Sequence, residues 1–272
     1  MKTFLMMGII ACVLLSGCFM DSEVMAAVQK GSYKMCDELD TTKNAGRIDD
    51  CYAQVAVKKG DADVCSKIVT ERYRSDCFEG VAIKKNDPAL CKGVSAQWNR
   101  VNCFSKIAIS TNDKAVCADL DILRDDCYLN FAKNSGNPAD CEGVMGETDM
   151  LDSCYQYMAG VKKDEQYCAK ISSANIKDDC LLTVAPQVQG NLLCPRIESK
   201  YKREQCTIKV AAAMKDEAVC GGIDYQTPIY YTCLKQVAVA KKSLATCDMI
   251  QDESEKTSCI LQVNNAAAIN GT

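Results

Sequence analysis

Twenty cysteines and no histidine set the chemistry open to this chain of 272 residues. Two of the cysteines lie within the first 18 residues, and the other eighteen run as nine consecutive pairs from Cys36 to Cys259. Without histidine the commonest general base and metal ligand is missing. No CxxC or Cys/His zinc spacing occurs, and no nucleophile–base constellation or phosphate loop stands out. An even, evenly spaced set of cysteines in an exported chain reads as structural disulfides. A metal-thiolate or redox-active array is the competing reading. The sequence therefore assigns no catalytic residue, no metal site and no cofactor.

The spacing gives the organisation. Cys51 and Cys65, Cys77 and Cys91, Cys103 and Cys117, Cys127 and Cys141, Cys154 and Cys168, Cys180 and Cys194, Cys206 and Cys220, and Cys233 and Cys247 are each 14 residues apart. The gaps between these blocks vary from 10 to 13, and the first cysteines recur with a mean period of 26. A unit this short cannot bury a core alone, so it must stack on its neighbours.

The elements that position the cysteines are legible from capping residues. Ten residues after each first cysteine stand Asp61, Asp87, Asp113, Asn137, Asp164, Gly190, Asp216 and Ser243, with Ser32 in the matching place before Cys36. These residue types accept bonds from the free amides of a helix's first turn, and Pro88 and Pro138 follow where proline is tolerated. A short helix is predicted to start at each. A second set, Thr42, Thr70, Ser95, Asp121, Thr148, Ser173, Ser199, Thr227 and Asp252, precedes the first cysteines and marks the start of a longer helix. Along that helix apolar residues fall at 0, +1, +4 and +5 from the cysteine, a single stripe. Position +1 holds Tyr52, Phe78, Phe104, Tyr128 and Tyr155; position +5 is alanine from Ala56 to Ala238, with Asn264 breaking the run. Alanine throughout a column predicts a close helix–helix approach, and the aromatic column reads as core packing.

Helix geometry then discriminates between pairings. Cys51 lies roughly 15 Å before the turn and Cys65 roughly 6 Å beyond it, so in an antiparallel hairpin their heights differ by about 9 Å. That exceeds the roughly 5.5 Å Cα separation of a disulfide. Cys65 and Cys77 sit at matching heights about the Thr70 cap. The predicted bonds are Cys36–Cys51, Cys65–Cys77, Cys91–Cys103, Cys117–Cys127, Cys141–Cys154, Cys168–Cys180, Cys194–Cys206, Cys220–Cys233 and Cys247–Cys259. Each staples a short helix to the long helix that follows.

The first 18 residues, MKTFLMMGIIACVLLSGC, combine Lys2, an apolar run from Phe4 to Leu15 and the exit Leu15-Ser16-Gly17-Cys18. The apolar run is too short to span a bilayer comfortably. The stretch resembles the lipobox of bacterial lipoproteins, also found in some archaeal ones. That resemblance implies cleavage before Cys18, diacylglycerol on its sulfur and a lipid anchor in a prokaryotic membrane. The domain reading is a signal peptide over 1–17, an anchor and tether over 18–31, a repeat array over 32–265 and a tail over 266–272. Asn270-Gly271-Thr272 matches a glycosylation sequon.

Candidate binding residues are few. Three residues before the first cysteine stand Arg74, Arg100, Arg124, Lys177, Arg203 and Lys256, which stacking would align into a basic ladder able to meet a polyanionic or peptide ligand. A solvated face with salt bridges is the bland alternative. The formal charge is −4 and no basic patch is concentrated anywhere, so nucleic-acid binding is disfavoured.

Stapled antiparallel helix pairs in tandem resemble cysteine-rich Sel1-like repeat proteins and, more distantly, tetratricopeptide arrays, with a shorter period. The resemblance implies an α-solenoid that binds proteins or peptides. The expectation is an all-α, disulfide-stapled α-hairpin solenoid of about nine repeats. It would be a lipid-anchored, extracytoplasmic, non-enzymatic scaffold with a protein or peptide partner. A structural envelope spacer without a specific ligand is the second reading and a thiol-redox or enzymatic protein the third.

Overall fold

The structure is a computed structural model that describes residues 21–40, 46–146 and 148–269. Cys18 with its lipobox, the Thr42 cap and the 270–272 sequon lie outside the described residues. Among the described residues every regular element is helical. The chain divides into two compact units, 1–127 and 128–272. In the first, the long helices are α1 (Ser22–Lys30), α3 (Arg47–Lys59), α5 (Glu71–Lys85) and α6 (Gln97–Thr111), with short helices α2 (Tyr33–Asp37) and α4 (Ala62–Cys65). The division falls inside α7 (Arg124–Ser135). The second unit holds the long helices α8 (Thr148–Lys162), α9 (Ala174–Val184), α10 (Lys200–Met214), α11 (Pro228–Lys241) and α13 (Glu253–Ile269), and the short α12 (Leu244–Cys247). The remaining short elements are 3₁₀ turns, Pro88–Gly93, Lys114–Asp119, Pro138–Gly143, Glu165–Lys170, Cys194–Arg196 and Glu217–Gly222.

Nine disulfides join each short element to the long helix after it: Cys36–Cys51, Cys65–Cys77, Cys91–Cys103, Cys117–Cys127, Cys141–Cys154, Cys168–Cys180, Cys194–Cys206, Cys220–Cys233 and Cys247–Cys259. Their Cα atoms are 5.5 to 5.8 Å apart. The sulfurs are buried throughout. So many disulfides belong to an oxidising, extracytoplasmic environment, and no described helix is long and apolar enough to cross a membrane.

The alanine column has a second cause besides close packing. Eight of the nine long helices from α1 to α11 end at a residue in the left-handed region, Gly31, Gly60, Asn86, Asn112, Gly136, Lys163, Lys215 and Lys242; after α9, which ends on the right-handed Ala185, the left-handed residue is Gln189, at the close of the turn that follows. The next residue, the expected cap of the short element, then donates its amide back to the alanine carbonyl. Such bonds run from Ser32 to Ala27, Asp61 to Ala56, Asp87 to Ala82, Asp113 to Ala108, Asp164 to Ala159, Gly190 to Ala185, Asp216 to Ala211 and Ser243 to Ala238, at 2.9 to 3.1 Å. This is the six-to-one bond of a Schellman ending. In the ninth case the Asn137 amide goes to the Ser135 hydroxyl at 3.1 Å. Asn264 sits where no such turn follows, because α13 continues to Ile269.

The expected short-helix caps hold at eight of nine places. Asp87, Asp113, Asn137, Asp164 and Asp216 accept the amide two residues on, at 2.9 to 3.2 Å. Gly190 is the exception: it lies in a turn, and the 3₁₀ piece Cys194–Arg196 is capped by Leu193. Pro186 explains the difference, since it has no amide for the Leu182 carbonyl and α9 stops at Val184. At the long-helix starts, Ala96 caps α6 in place of Ser95, whose hydroxyl lies 2.8 Å from that of Ser75.

Residues 21–31, expected as tether, belong to the array. Asp21 caps α1, whose Val24 and Ala27 are buried, and Arg47 of α3 reaches Asp21 at 2.6 Å and Glu23 at 2.7 Å. Ser22 occupies the register of a first cysteine, ten residues before the Ser32 cap, so α1 is a long helix without a staple. Among the described residues the array therefore begins and ends on a long helix, and α13 takes in 266–269 of the expected tail.

Three residues after each second cysteine a branched aliphatic is buried: Leu39, Ile68, Val94, Leu120, Val144, Ile171, Ile197, Ile223 and Ile250. Its amide bonds the cysteine carbonyl in all nine repeats. At the aromatic column, Phe104 and Tyr155 are buried. Phe78 and Tyr128 lie so close over Gly93 and Gly143 that a β-carbon there would stand 2.5 Å from each ring.

Candidate functional site

The expected ladder lies at the starts of the long helices, beside the staple loops that run from each short element to the next long helix. Arg74 donates Nη1 to the Ile68 carbonyl at 3.2 Å, Arg100 donates Nε to Val94 at 3.0 Å, and Arg203 donates Nη1 to Ile197 at 2.7 Å. In each case the acceptor is the aliphatic anchor three residues after the cysteine. These guanidinium groups clamp their own loops. Lys256 pairs with Asp248 at 2.9 Å, and Arg124 lies 3.5 Å from Asp125. Lys177 makes no ion pair among the described residues.

The residue after the ladder position grips the following loop, and the sequence reading passed over it. Asp152 accepts the Ser172 and Ser173 amides at 2.9 and 2.7 Å, and Asp178 accepts Glu198 and Ser199 at 2.9 and 3.0 Å. Asp49 does the same for Val69 and Thr70, and Ser75 takes the Ser95 amide. Burial raises the carboxyl pKa of Asp49, but the bonds from Thr70 and Val69 outweigh it and leave the group below its ordinary value. Each such loop is therefore held by a carboxylate or hydroxyl from the helix before it, and several by a guanidinium from the helix after it.

Rigid loops present exposed side chains well, and the two units present different ones. In the first unit Val69 (84 % exposed), Trp98 (66 %) and Ile122 (83 %) stand on three successive loops or the first helical turn beyond them. Two depressions open at the same register. One, of about 460 Å³, is lined by Tyr33, Ile48, Tyr52, Ile68 and Val69; the other, of about 550 Å³, by Arg100, Phe104, Leu120, Ile122 and Leu123. Between them Phe78 lies over Gly93, and a smaller opening of about 320 Å³ sits beside Ser75, Ser95 and Ala96.

In the second unit the exposed residues are tyrosines. Tyr201 (68 % exposed), in the first turn of α10, and Tyr225 (62 %), on the next staple loop, are tied by Lys200 Nζ to Asp224 at 3.1 Å. Tyr225 stacks edge-on to Tyr230 at 5.1 Å, and its hydroxyl accepts from Gln251 of the next loop at 3.1 Å. Lys200 is held above its usual pKa by Asp224 first and then Glu204. A well-tied, tyrosine-bearing edge is the composition that protein interfaces favour.

On the opposite edge Glu217 has a strongly depressed pKa of about 2 against an ordinary 4.5, caused by Lys241 and then Thr246. Lys241 Nζ lies 2.7 Å from it and the Thr246 hydroxyl donates at 2.6 Å. A depressed carboxylate contributes stability that is complete above 4.5 and lost as pH falls towards about 2. Acid titration of unfolding should show a loss on the order of 2 kcal/mol in that window that Glu217→Gln abolishes. An unchanged acid limb in the variant would refute this role. No protein-family model, curated protein sequence or solved structure matches the chain.

Proposed function

We propose that the protein is a lipid-anchored, extracytoplasmic scaffold that binds a protein or peptide partner at a prokaryotic cell envelope. The Leu15-Ser16-Gly17-Cys18 exit supports the anchor, with residues 1–17 removed and Cys18 lipidated. The observation that carries the binding role is the tyrosine edge of the second unit, where Tyr201, in the first turn of α10, and Tyr225, on the next loop, are exposed beside segments fixed by disulfides, by Asp178 and by the Lys200–Asp224 contact. Tyrosine on a rigid loop supplies large contact area at small entropic cost. The likeness to Sel1-like and tetratricopeptide arrays supports the same class of role by architecture alone. The cysteines leave no free thiol among the described residues, which favours a scaffold over a thiol-redox protein.

The test is capture from envelope extracts with the soluble form lacking Cys18. A partner retained by the wild type should be lost on Tyr201→Ala/Tyr225→Ala and kept on Lys177→Gln. Loss on Lys177→Gln alone would return the role to the basic ladder, and enrichment of nothing would favour an envelope spacer.

A further inference from the structure

We propose that the staple-loop edge of the first unit lies on the lipid bilayer itself, with Val69, Trp98 and Ile122 seated in the headgroup region beside the acyl anchor. The inference rests on the reading of Cys18 as lipidated.

The long helices of the first unit run parallel. Arg47 near the start of α3 bonds Asp21 and Glu23 at the start of α1, and Lys58 near its end donates to the Gln29 carbonyl near the end of α1. Asp49 of α3 caps the loop entering α5, and Lys84 of α5 donates to the Lys58 carbonyl. Between α5 and α6, Ser75 meets Ser95 at the starts and Ser110 meets Asn86 towards the ends. The start of α1 therefore shares an edge with the loops that carry Val69, Trp98 and Ile122.

That edge is also where the anchor attaches. Asp21 caps α1 with both its first-turn bonds made, to Glu23 and Val24. Only Phe19 and Met20 separate it from Cys18, three Cα steps with a reach of at most about 11 Å. A lipidated Cys18 would hold the start of α1, and the edge it belongs to, at the membrane surface. One acyl chain binds marginally and a second signal makes anchoring stable. Exposed Val69 and Ile122 supply apolar surface, and tryptophan is the side chain that favours the membrane interface. Lys67 and Lys92 are offset by Asp119 and Asp121 around the same depressions, so the contact needs no anionic lipid.

Trp98 is the sole tryptophan of the chain and reports on the contact directly. The full chain, with Cys18 lipidation established by mass spectrometry, is reconstituted into phosphatidylcholine vesicles. Trp98 emission should shift to the blue and be quenched by lipids brominated along the acyl chain. Val69→Ser/Ile122→Ser, both exposed and outside the core, should weaken quenching while leaving the circular dichroism unchanged. In the Cys18→Ser form the same pair should reduce residual vesicle partition on the order of tenfold. Lipidated protein whose Trp98 stays unshifted and unquenched overturns the membrane contact and leaves the anchor standing. Unlipidated Cys18 overturns the anchor and this inference with it. Protection of Trp98 only when an envelope protein is added would assign the edge to a protein partner.

Discussion

Replacing Cys168 and Cys180 together by alanine is expected to cost about 3 kcal/mol, the loss of one loop-closing cross-link on the chain-entropy model. The bond spans a separation of 12 residues and both sulfurs are fully buried, so the variant also loses packing in the core that contains Met158, Leu181 and Val184. The expected consequence is local. In a repeat array each unit contacts mainly its neighbours, so amide exchange should accelerate across Glu165–Val184 while the staples at the far ends of the chain keep their protection. Removing the terminal pair Cys247 and Cys259 should cost less and loosen α12 and α13 alone. A variant lacking Cys168 and Cys180 that unfolds all nine repeats in one transition at the wild-type midpoint would refute a modular array. Denaturant titration combined with hydrogen exchange reads both quantities.

The pairing of the cysteines was legible because capping residues have types: Asp87, Asp113 and Asp164 advertise helix starts, and fixed rise per residue converts those starts into heights. The reverse turn before each cap was not, because the left-handed position is filled by Gly60, Asn86, Lys163 and Gln189 in turn, and no residue type marks it. Its trace in the sequence is the alanine five residues after the cysteine, which carries the carbonyl that closes the turn. The aliphatic column from Leu39 to Ile250 was fully visible at three residues past the second cysteine and belongs to the same repeat signal. The loop bonding of the ladder was hidden for a physical reason. A basic residue three before a cysteine reads as surface charge, but the cysteine is buried, and one turn back the side chain points at loop carbonyls such as those of Val94 and Ile197. Position −2 was obscured similarly: Asp125, Asp126, Asp178 and Asp179 are adjacent acids in the sequence, and only tertiary burial separates Asp178 from the exposed partner of Lys202. Trp98, Ile122 and Tyr201 share the position five before the first cysteine, but Arg72, Asp149, Asn175 and Ser254 fill it in other repeats, so no apolar or aromatic column announced them.

Asp178→Ala should lower stability by about 2–3 kcal/mol, more than any surface ion pair in the molecule contributes. Its carboxylate is 5 % exposed and accepts two backbone amides, one on each oxygen, from Glu198 and Ser199. Alanine leaves both donors without their acceptor beside the Cys194–Cys206 staple, where Ser199 also caps α10. The cost is that of unpaired donors as well as of two lost charge-assisted bonds. Asp178→Asn retains one acceptor oxygen and should lose roughly half as much. The local readout is exchange of the Glu198 and Ser199 amides, which should rise by orders of magnitude in the alanine variant while amides of the first unit stay unchanged. If those two amides keep their protection, the loop is held by the disulfide and by Arg203 alone. The same substitution bears on function, because Tyr201 begins two residues past this clamp: a loosened loop should weaken partner capture by the tyrosine edge with Tyr201 and Tyr225 both intact. Retained capture by Asp178→Ala would show that the edge binds without the rigidity argued for it.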